Sequence, residues 1–135
     1  MKRRDFLVLS TAATLVPYVV QAAEPTLYTP GSAEAAMDEG EIVVLDFWAS
    51  WCSTCAAQQR VLAALKAENP DYEQNIVFFL VDWDVHGEGE LSKAMNIPRR
   101  STLVALKGRQ EIGRIVAGTS KGEIKALLDA ALASA

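Results

Sequence analysis

Side chains that bind soft metal ions are scarce in this sequence. Its 135 residues include two cysteines, one histidine and three methionines. Soft ions such as copper(I) are bound by thiolate, thioether and imidazole groups, so this scarcity disfavours a dedicated metal centre. The sequence also lacks a flavin, haem or nucleotide signature, and we therefore expect no bound cofactor and no metal site.

Segments of biased composition are absent as well. The sequence has no low-complexity stretch and no visible internal repeat, which excludes a disordered chain and a repeat array. Hydrophobic residues make up 50% of the chain. A chain of this length has room for one domain with a packed core.

Positive charge is in the minority. There are 13 Lys and Arg residues against 17 Asp and Glu residues, which gives a net charge of −4. Residues 1–22 contain three basic residues and one acidic residue, so their removal would change the net charge from −4 to −6. Proteins that bind nucleic acid present a basic surface to the phosphates, so we expect no nucleic-acid partner.

The N-terminus has the three parts of an export signal. A basic segment begins at Lys2, an apolar segment covers residues 7–20, and residues 20–22 fit a cleavage site with small residues at −3 and −1. We therefore predict an export signal over residues 1–23, a folded domain over residues 24–135, and a periplasmic or otherwise exported location.

The apolar part of this signal is too short to be a typical membrane span. It has fewer than the ~20 apolar residues that a span needs, and Pro17 interrupts it. We therefore predict no stable membrane span once the signal is removed, with an uncleaved N-terminal anchor as the alternative. Arg3-Arg4 followed by Asp5-Phe6-Leu7 resembles the twin-arginine consensus, which directs folded proteins to export.

The only two cysteines, Cys52 and Cys55, lie two residues apart at the start of a long helical pattern. Unpaired backbone N–H groups and the positive end of the helix dipole favour a thiolate at this position, and the thiolate is the reactive species in disulfide exchange. A second thiol one turn away can then close an internal disulfide. A purely structural disulfide is the alternative, but closing so small a loop adds little stability through chain entropy. The spacing therefore predicts a redox-active dithiol.

Strands and helices alternate along the rest of the chain. Apolar runs predict buried strands, amphipathic periodicity predicts helices, and alternation near the C-terminus predicts an edge strand. This order indicates an α/β fold with a mixed central β-sheet and helices on both faces. The predicted elements are a helix over 32–40 capped by Ser32, a strand over 42–48, a helix over 52–69, a strand over 76–81, a helix over 90–95, strands over 102–106 and 111–116, and a helix over 121–132.

Residues 46–55 read Asp46-Phe47-Trp48-Ala49-Ser50-Trp51-Cys52-Ser53-Thr54-Cys55. This stretch resembles the D-F-W-A-x-W-C-x-x-C signature of the thioredoxin family. The resemblance covers about residues 32–133 and implies a thioredoxin-like fold and a thiol–disulfide oxidoreductase activity. It implies that Cys52 is the exposed nucleophile, that Cys55 resolves the mixed disulfide, and that Asp46 is a buried carboxyl group that assists proton transfer at Cys55.

The physical environment of Asp46 points the same way. Its carboxyl group lies in an apolar strand, so burial should raise its pKa toward neutrality. A base with such a pKa can help to deprotonate Cys55. The alternative is a hydrogen-bonded carboxylate at the strand end with no catalytic part.

Several further residues are expected to line a substrate groove. Trp48 and Trp51 would form its walls, and the hydroxyl groups of Ser53 and Thr54 would either donate to the thiolate or only cap the helix. The remaining predicted groove residues are Arg100, Ser101 and Thr102.

The family usually has a cis-proline directly before the strand that faces the dithiol. Here Ser101 fills that position if the alignment follows the strand, and Pro98 fills it if the alignment follows the Ile-Pro pair. We favour Ser101 and predict a trans Arg100–Ser101 peptide, because a cis bond before a residue other than proline costs ~2.5–4 kcal/mol. The charges of Arg99 and Arg100 would favour the Cys52 thiolate or attract an acidic substrate, unless the two form a solvated loop.

These features predict an exported thiol–disulfide oxidoreductase that reduces disulfides of other exported proteins. The missing histidine between the cysteines disfavours an extreme oxidant. A reductase in an oxidising compartment needs electrons, so a membrane-bound thiol donor is an implied partner. The alternatives are a module that binds copper through its two thiolates and a non-catalytic domain that uses the groove for binding.

Overall fold

The computed structural model of the protein describes residues 24–135. The export signal predicted for residues 1–23 lies outside the described residues. Within the described part of the chain, the helices and strands follow in the order β1 (Thr26–Leu27), α1 (Ser32–Asp38), β2 (Ile42–Trp48), α2 (Ser53–Glu68), α3 (Asp71–Asn75), β3 (Ile76–Asp82), α4 (Trp83–His86), α5 (Glu90–Ala94), β4 (Thr102–Lys107), β5 (Gln110–Val116) and α6 (Lys121–Ala133).

The strands of residues 24–135 form one sheet in the order β1-β3-β2-β4-β5. β3 pairs in parallel with both β1 and β2, whereas β4 runs antiparallel to β2 and to β5. The mixed sheet that the sequence predicts is therefore confirmed. β2 is the central strand, which explains why its residues are almost continuously apolar.

The core consists of two clusters, one on each face of the sheet. Alternate residues of β2 point to opposite faces, so that Val43, Leu45 and Phe47 join one cluster and Ile42 and Val44 join the other. Buried residues of α1 and α5 cover the first face, and buried residues of α2, α3 and α6 cover the second. The prediction of helices on both faces is confirmed.

Two details of the predicted elements are wrong. Ser32 does not cap α1, because Gly31 holds the cap position with φ 90° and the Ser32 hydroxyl instead bonds to the backbone of Thr29. The short helices α3 and α4 were not predicted, since five and four residues are too few to show helical periodicity. Among the described residues, no helix combines the length and the apolar character needed to cross a membrane.

Candidate active site

The dithiol lies where the central strand passes into helix α2. β2 ends at Trp48, a turn follows in which the Cys52 N–H donates to the Ala49 carbonyl at 3.1 Å, and Cys52 then takes the N-cap position of α2. Its sulfur accepts the backbone N–H of Cys55 at 3.1 Å. Cys52 and Cys55 are joined as a disulfide. A sulfur that accepts a helix N-terminal N–H is well placed to carry negative charge once the disulfide opens.

Both cysteines are buried in this disulfide state. Cys52 is 4% exposed and Cys55 is fully buried, and both pack with Ala49. The expectation of an exposed Cys52 is therefore wrong for the oxidised protein. The half-buried rings of Trp48 and Trp83 pack against the same cluster. Together with Ser101, these groups leave Cys52 only a small accessible surface.

Ser101, and not Pro98, lies against the disulfide. The Ser101 hydroxyl oxygen is 3.1 Å from the Cys52 sulfur and 3.1 Å from the Cys55 sulfur, whereas Pro98 is exposed. No peptide bond within residues 24–135 is cis, so the predicted trans Arg100–Ser101 peptide is confirmed. A hydroxyl group is thus in contact with both reacting sulfurs.

The backbone of Ser101 is held from three sides. Its N–H donates to the Phe47 carbonyl at 2.7 Å, and its carbonyl accepts the Ala117 N–H at 2.8 Å and the Gln58 side-chain amide at 2.9 Å. Gln58 is fully buried on α2, and the same amide nitrogen donates to the Gly118 carbonyl at 2.9 Å. These bonds hold Ser101 at φ 61°, in the left-handed region that residues other than glycine seldom occupy.

Asp46 is buried on the strand that leads to the dithiol. It is 6% exposed, and burial raises its pKa from the ordinary 3.8 to about 7, although the positive charge of Lys66 opposes this rise. One carboxylate oxygen has no hydrogen-bond partner within the protein. The direction of this shift agrees with the rise expected from burial, and the alternative of a hydrogen-bonded strand-end carboxylate does not fit this oxygen.

Lys66 brings a second buried charge to the same region. Burial lowers the pKa of its ammonium group, while Glu73 and Asp46 favour the charged form. Its Nζ lies 3.9 Å from Glu73 Oε1 and 3.9 Å from the centroid of the Phe78 ring. A pocket of about 450 Å³ has both Asp46 and Lys66 in its lining, between α2 and strands β2 and β3. This pocket gives the carboxyl group a route for proton exchange with solvent.

Trp51 forms the exposed rim beside Cys52. Its side chain is 60% exposed, and the Arg100 guanidinium lies 4.4 Å from the centroid of its ring. Its indole N–H donates to both carboxylate oxygens of Asp84, at 3.1 and 3.0 Å. The rim therefore offers a cation, an aromatic face and an anion next to one another.

The other predicted groove residues differ in exposure. Ser53 and Thr54 form the first turn of α2, where Ser53 is exposed and Thr54 is half-buried. Thr102 is fully buried and its hydroxyl donates to the Arg99 carbonyl at 2.7 Å, so it shapes the loop and offers no surface to a substrate. Arg99 turns back on the loop, with its Nε donating to the Arg100 carbonyl.

Sequence reasoning missed four residues of this site, which are Gln58, Lys66, Trp83 and Asp84. Because Gln58 and Lys66 are polar, the hydrophobic pattern favours the solvent-facing side of α2 for them, but both are buried. Spacing along the helix could have revealed the burial of Gln58. Positions 58, 62 and 65 follow the i, i+4, i+7 pattern of one helix face, and the residues at 62 and 65 are apolar. The contact between Asp84 and Trp51 joins residues far apart in the chain and left no local signal.

No set of three or more His, Cys, Asp or Glu side chains within residues 24–135 is arranged to hold a metal ion. A copper-binding role would therefore have to use the two sulfurs with no further ligand from these residue types.

Comparison with known proteins gives consistent matches. The family described as Thioredoxin matches residues 29–130. The Thioredoxin H-type protein of Brassica campestris is 32% identical over 95 residues, which are 70% of this chain and 72% of that protein. Among solved structures, Trxlp from Edwardsiella tarda is 26% identical with a TM-score of 0.68, covering 78% of this chain and 98% of that chain. The oxidised mitochondrial thioredoxin 3 of Saccharomyces cerevisiae is 25% identical with a TM-score of 0.63, covering 78% of this chain and 94% of that chain. The predicted fold is confirmed by these similarities.

Proposed function

The chain belongs to the thioredoxin family of thiol–disulfide oxidoreductases, and we propose that it is exported and reduces disulfide bonds of other exported proteins. The observation that carries this proposal is the Cys52–Cys55 disulfide at the N-terminus of α2. The helix start favours a thiolate at Cys52, and Cys55 lies close enough to displace a bound substrate.

The reaction transfers two electrons and two protons to the substrate. The Cys52 thiolate attacks one sulfur of the substrate disulfide, whose S–S bond breaks to give a mixed disulfide and a substrate thiolate that takes up a proton. The Cys55 thiolate then attacks the Cys52 sulfur, which closes the Cys52–Cys55 disulfide and releases the second substrate sulfur as a thiol.

Asp46 acts as the base for the second step. A carboxyl group with a pKa of about 7 is a substantial proton acceptor near neutral pH, and it faces α2, the helix that carries Cys55. It takes the Cys55 proton, either directly or through water, and returns it to solvent through the adjoining pocket.

The rim and the loop at Ser101 position the substrate. Trp51 presents an exposed ring between the positive charge of Arg100 and the negative charge of Asp84, which suits a substrate segment with an acidic residue on the Arg100 side of its disulfide. The Ser101 N–H and carbonyl are already bonded to Phe47, Ala117 and Gln58, so the loop at Ser101 contributes shape to the groove and not backbone hydrogen bonds to an extended peptide. Trp48 packs against Ala49 and the two cysteines.

An exported reductase must be reduced again after each cycle. We propose that a membrane-bound dithiol reopens the Cys52–Cys55 disulfide, and that the twin-arginine-like signal at Arg3-Arg4 directs the protein to the periplasm. The proposed electron donor and the proposed export route both rest on the sequence alone.

Disulfide reduction by the purified protein tests the activity. With dithiothreitol as the donor, the protein should accelerate insulin reduction, and Cys52→Ala should abolish the acceleration. Cys55→Ala should accumulate mixed disulfides that mass spectrometry detects. Ser92→Ala is a matched control, because it removes a buried hydroxyl that bonds to the His86 carbonyl and not to a sulfur. Full activity of Cys52→Ala would refute the proposal.

The reduction potential tests the direction of exchange. A value near the ~−270 mV of thioredoxin supports a reductase, and a value near ~−120 mV supports an oxidant. Export is tested separately by the mass and location of the mature chain. Cleavage after Ala22 and a periplasmic location are expected, and replacing both Arg3 and Arg4 by lysine should retain the precursor in the cytoplasm. A full-length cytoplasmic wild-type protein would contradict the export proposal.

A further inference from the structure

We propose that the Ser101 hydroxyl is a shared hydrogen-bond donor that stabilises whichever of the two cysteines is the thiolate. This inference rests on the proposed dithiol cycle and adds a residue to it. Its starting observation is geometric, since one oxygen lies 3.1 Å from both sulfurs.

The direction of the hydrogen bond follows from the redox state. A disulfide carries no S–H group, so the hydroxyl is the donor to sulfur in the oxidised protein. A serine hydroxyl has one proton to donate and lone pairs that accept. In the reduced protein it can therefore donate to the Cys52 thiolate and accept from the Cys55 thiol. When Cys55 becomes the attacking thiolate, rotation of the same hydroxyl group redirects its proton to Cys55.

This contact favours the reduced state over the oxidised one. A disulfide sulfur is a weak, neutral acceptor, whereas a hydrogen bond to an ionised acceptor is about twice as strong as a neutral one. The hydroxyl therefore lowers the pKa of the attacking cysteine and makes the pair more oxidising than it would be without the hydroxyl.

The surrounding structure fixes the hydroxyl in place. Ser101 is fully buried and adopts φ 61°, and such conformations persist only where neighbouring groups determine them. The Phe47 carbonyl, the Ala117 N–H and the Gln58 amide supply those constraints. We assign Gln58 as a positioning residue, because its amide bonds to the backbone of Ser101 and to no sulfur.

The test uses the full chain and two substitutions that remove the hydroxyl. Ser101→Ala keeps the Cβ atom, and Ser101→Gly also relieves the left-handed backbone, so agreement between them assigns the effect to the hydroxyl. The pKa of Cys52 is read from the pH dependence of alkylation by iodoacetamide. We expect both substitutions to raise the pKa of Cys52, with an acidity constant about tenfold lower than in the wild type. This is the effect expected for loss of one hydrogen bond to a charged group.

The reduction potential gives a second readout with its own pH signature. The comparison is made at a pH above the Cys52 pKa of the wild type and that of the Ser101 variant. There the equilibrium of the variant with glutathione should lie about tenfold further toward the disulfide than that of the wild type, which corresponds to a potential about 30 mV more negative. Well below both pKa values the shift should almost vanish, because no thiolate is then present to stabilise. Gln58→Met should change both readouts in the same direction by a smaller factor, and Ser92→Ala should change neither.

The outcomes separate this inference from the proposed function. If both Ser101 variants fold, and if the Cys52 acidity constant and the equilibrium with glutathione each change less than twofold in both, the inference is overturned, even if the wild type reduces insulin. A change in Ser101→Ala that is absent from Ser101→Gly would also overturn it, because backbone strain would then be the cause. If the expected changes appear but the wild type fails to reduce insulin, the inference stands and the proposed function fails.

Discussion

Replacing Asp46 by asparagine is expected to stabilise the protein at alkaline pH and to leave its stability almost unchanged at acidic pH. Asparagine has nearly the shape of a protonated carboxyl group but cannot ionise. The substitution therefore removes the cost of holding a negative charge at a 6% exposed site and changes little else.

The sign of the pH dependence follows from the raised pKa. Folding shifts the pKa of Asp46 from an ordinary 3.8 to about 7, so the unfolded chain releases this proton more readily than the folded protein does. The favourable contribution of Asp46 to the free energy of unfolding is present in full below the pKa that Asp46 has in the unfolded chain. It is lost as the pH rises toward about 7. Stability of the wild type should therefore fall across this window relative to that of the variant.

The size of this pKa shift sets the stabilisation expected for Asp46→Asn at alkaline pH. A difference between 3.8 and about 7, at 1.36 kcal/mol for each pKa unit, corresponds to about 4 kcal/mol at a pH above both values. The stabilisation of the variant should be smaller than this value. In the variant, Lys66 keeps the attraction of the Glu73 charge but loses that of the Asp46 charge.

Urea unfolding of the oxidised protein at about pH 4 and about pH 8 measures this difference. Glu41→Gln, at an exposed carboxyl group, is the matched control and should change stability by no more than ~0.5 kcal/mol at either pH. If Asp46→Asn changes stability equally at both pH values, or destabilises the protein at the higher pH, the reasoning about the buried carboxyl group is refuted.

Three further substitutions have expected outcomes in the same urea assay. Ser101→Pro should destabilise by at least ~2 kcal/mol, because proline cannot adopt φ 61° and lacks the N–H that bonds to Phe47; an unchanged midpoint would contradict this conformation. Leu128→Ala, at a fully buried position of α6, should cost ~2–5 kcal/mol, and a loss below 1 kcal/mol would argue against its place in the core. Ser120→Ala should cost ~1 kcal/mol through loss of the α6 cap to the Glu123 N–H, which Ser120→Asp should preserve; equal losses in both variants would exclude capping as the cause.

The predicted elements match best where a local pattern is strong. The apolar run Ile42–Trp48 forms the central strand as predicted, and the helix predicted over 121–132 is found as α6. α2 was located correctly, but its buried face was assigned incompletely because Gln58 and Lys66 are polar. Burial of these residues depends on partners from distant parts of the chain, which helical periodicity does not reveal.

The sequence by itself determined the dithiol, its place after a buried strand and at the start of a helix, and the carboxyl group at Asp46. These features depend on neighbours along the chain, through which hydrophobic pattern, helix polarity and burial act. Only the tertiary structure decided that Ser101 lies against both sulfurs, that Gln58 fixes its backbone, and that Lys66 shares the pocket of Asp46. Those contacts join β2, α2 and the loop before β4, and their distances are set by how the helices pack on the sheet.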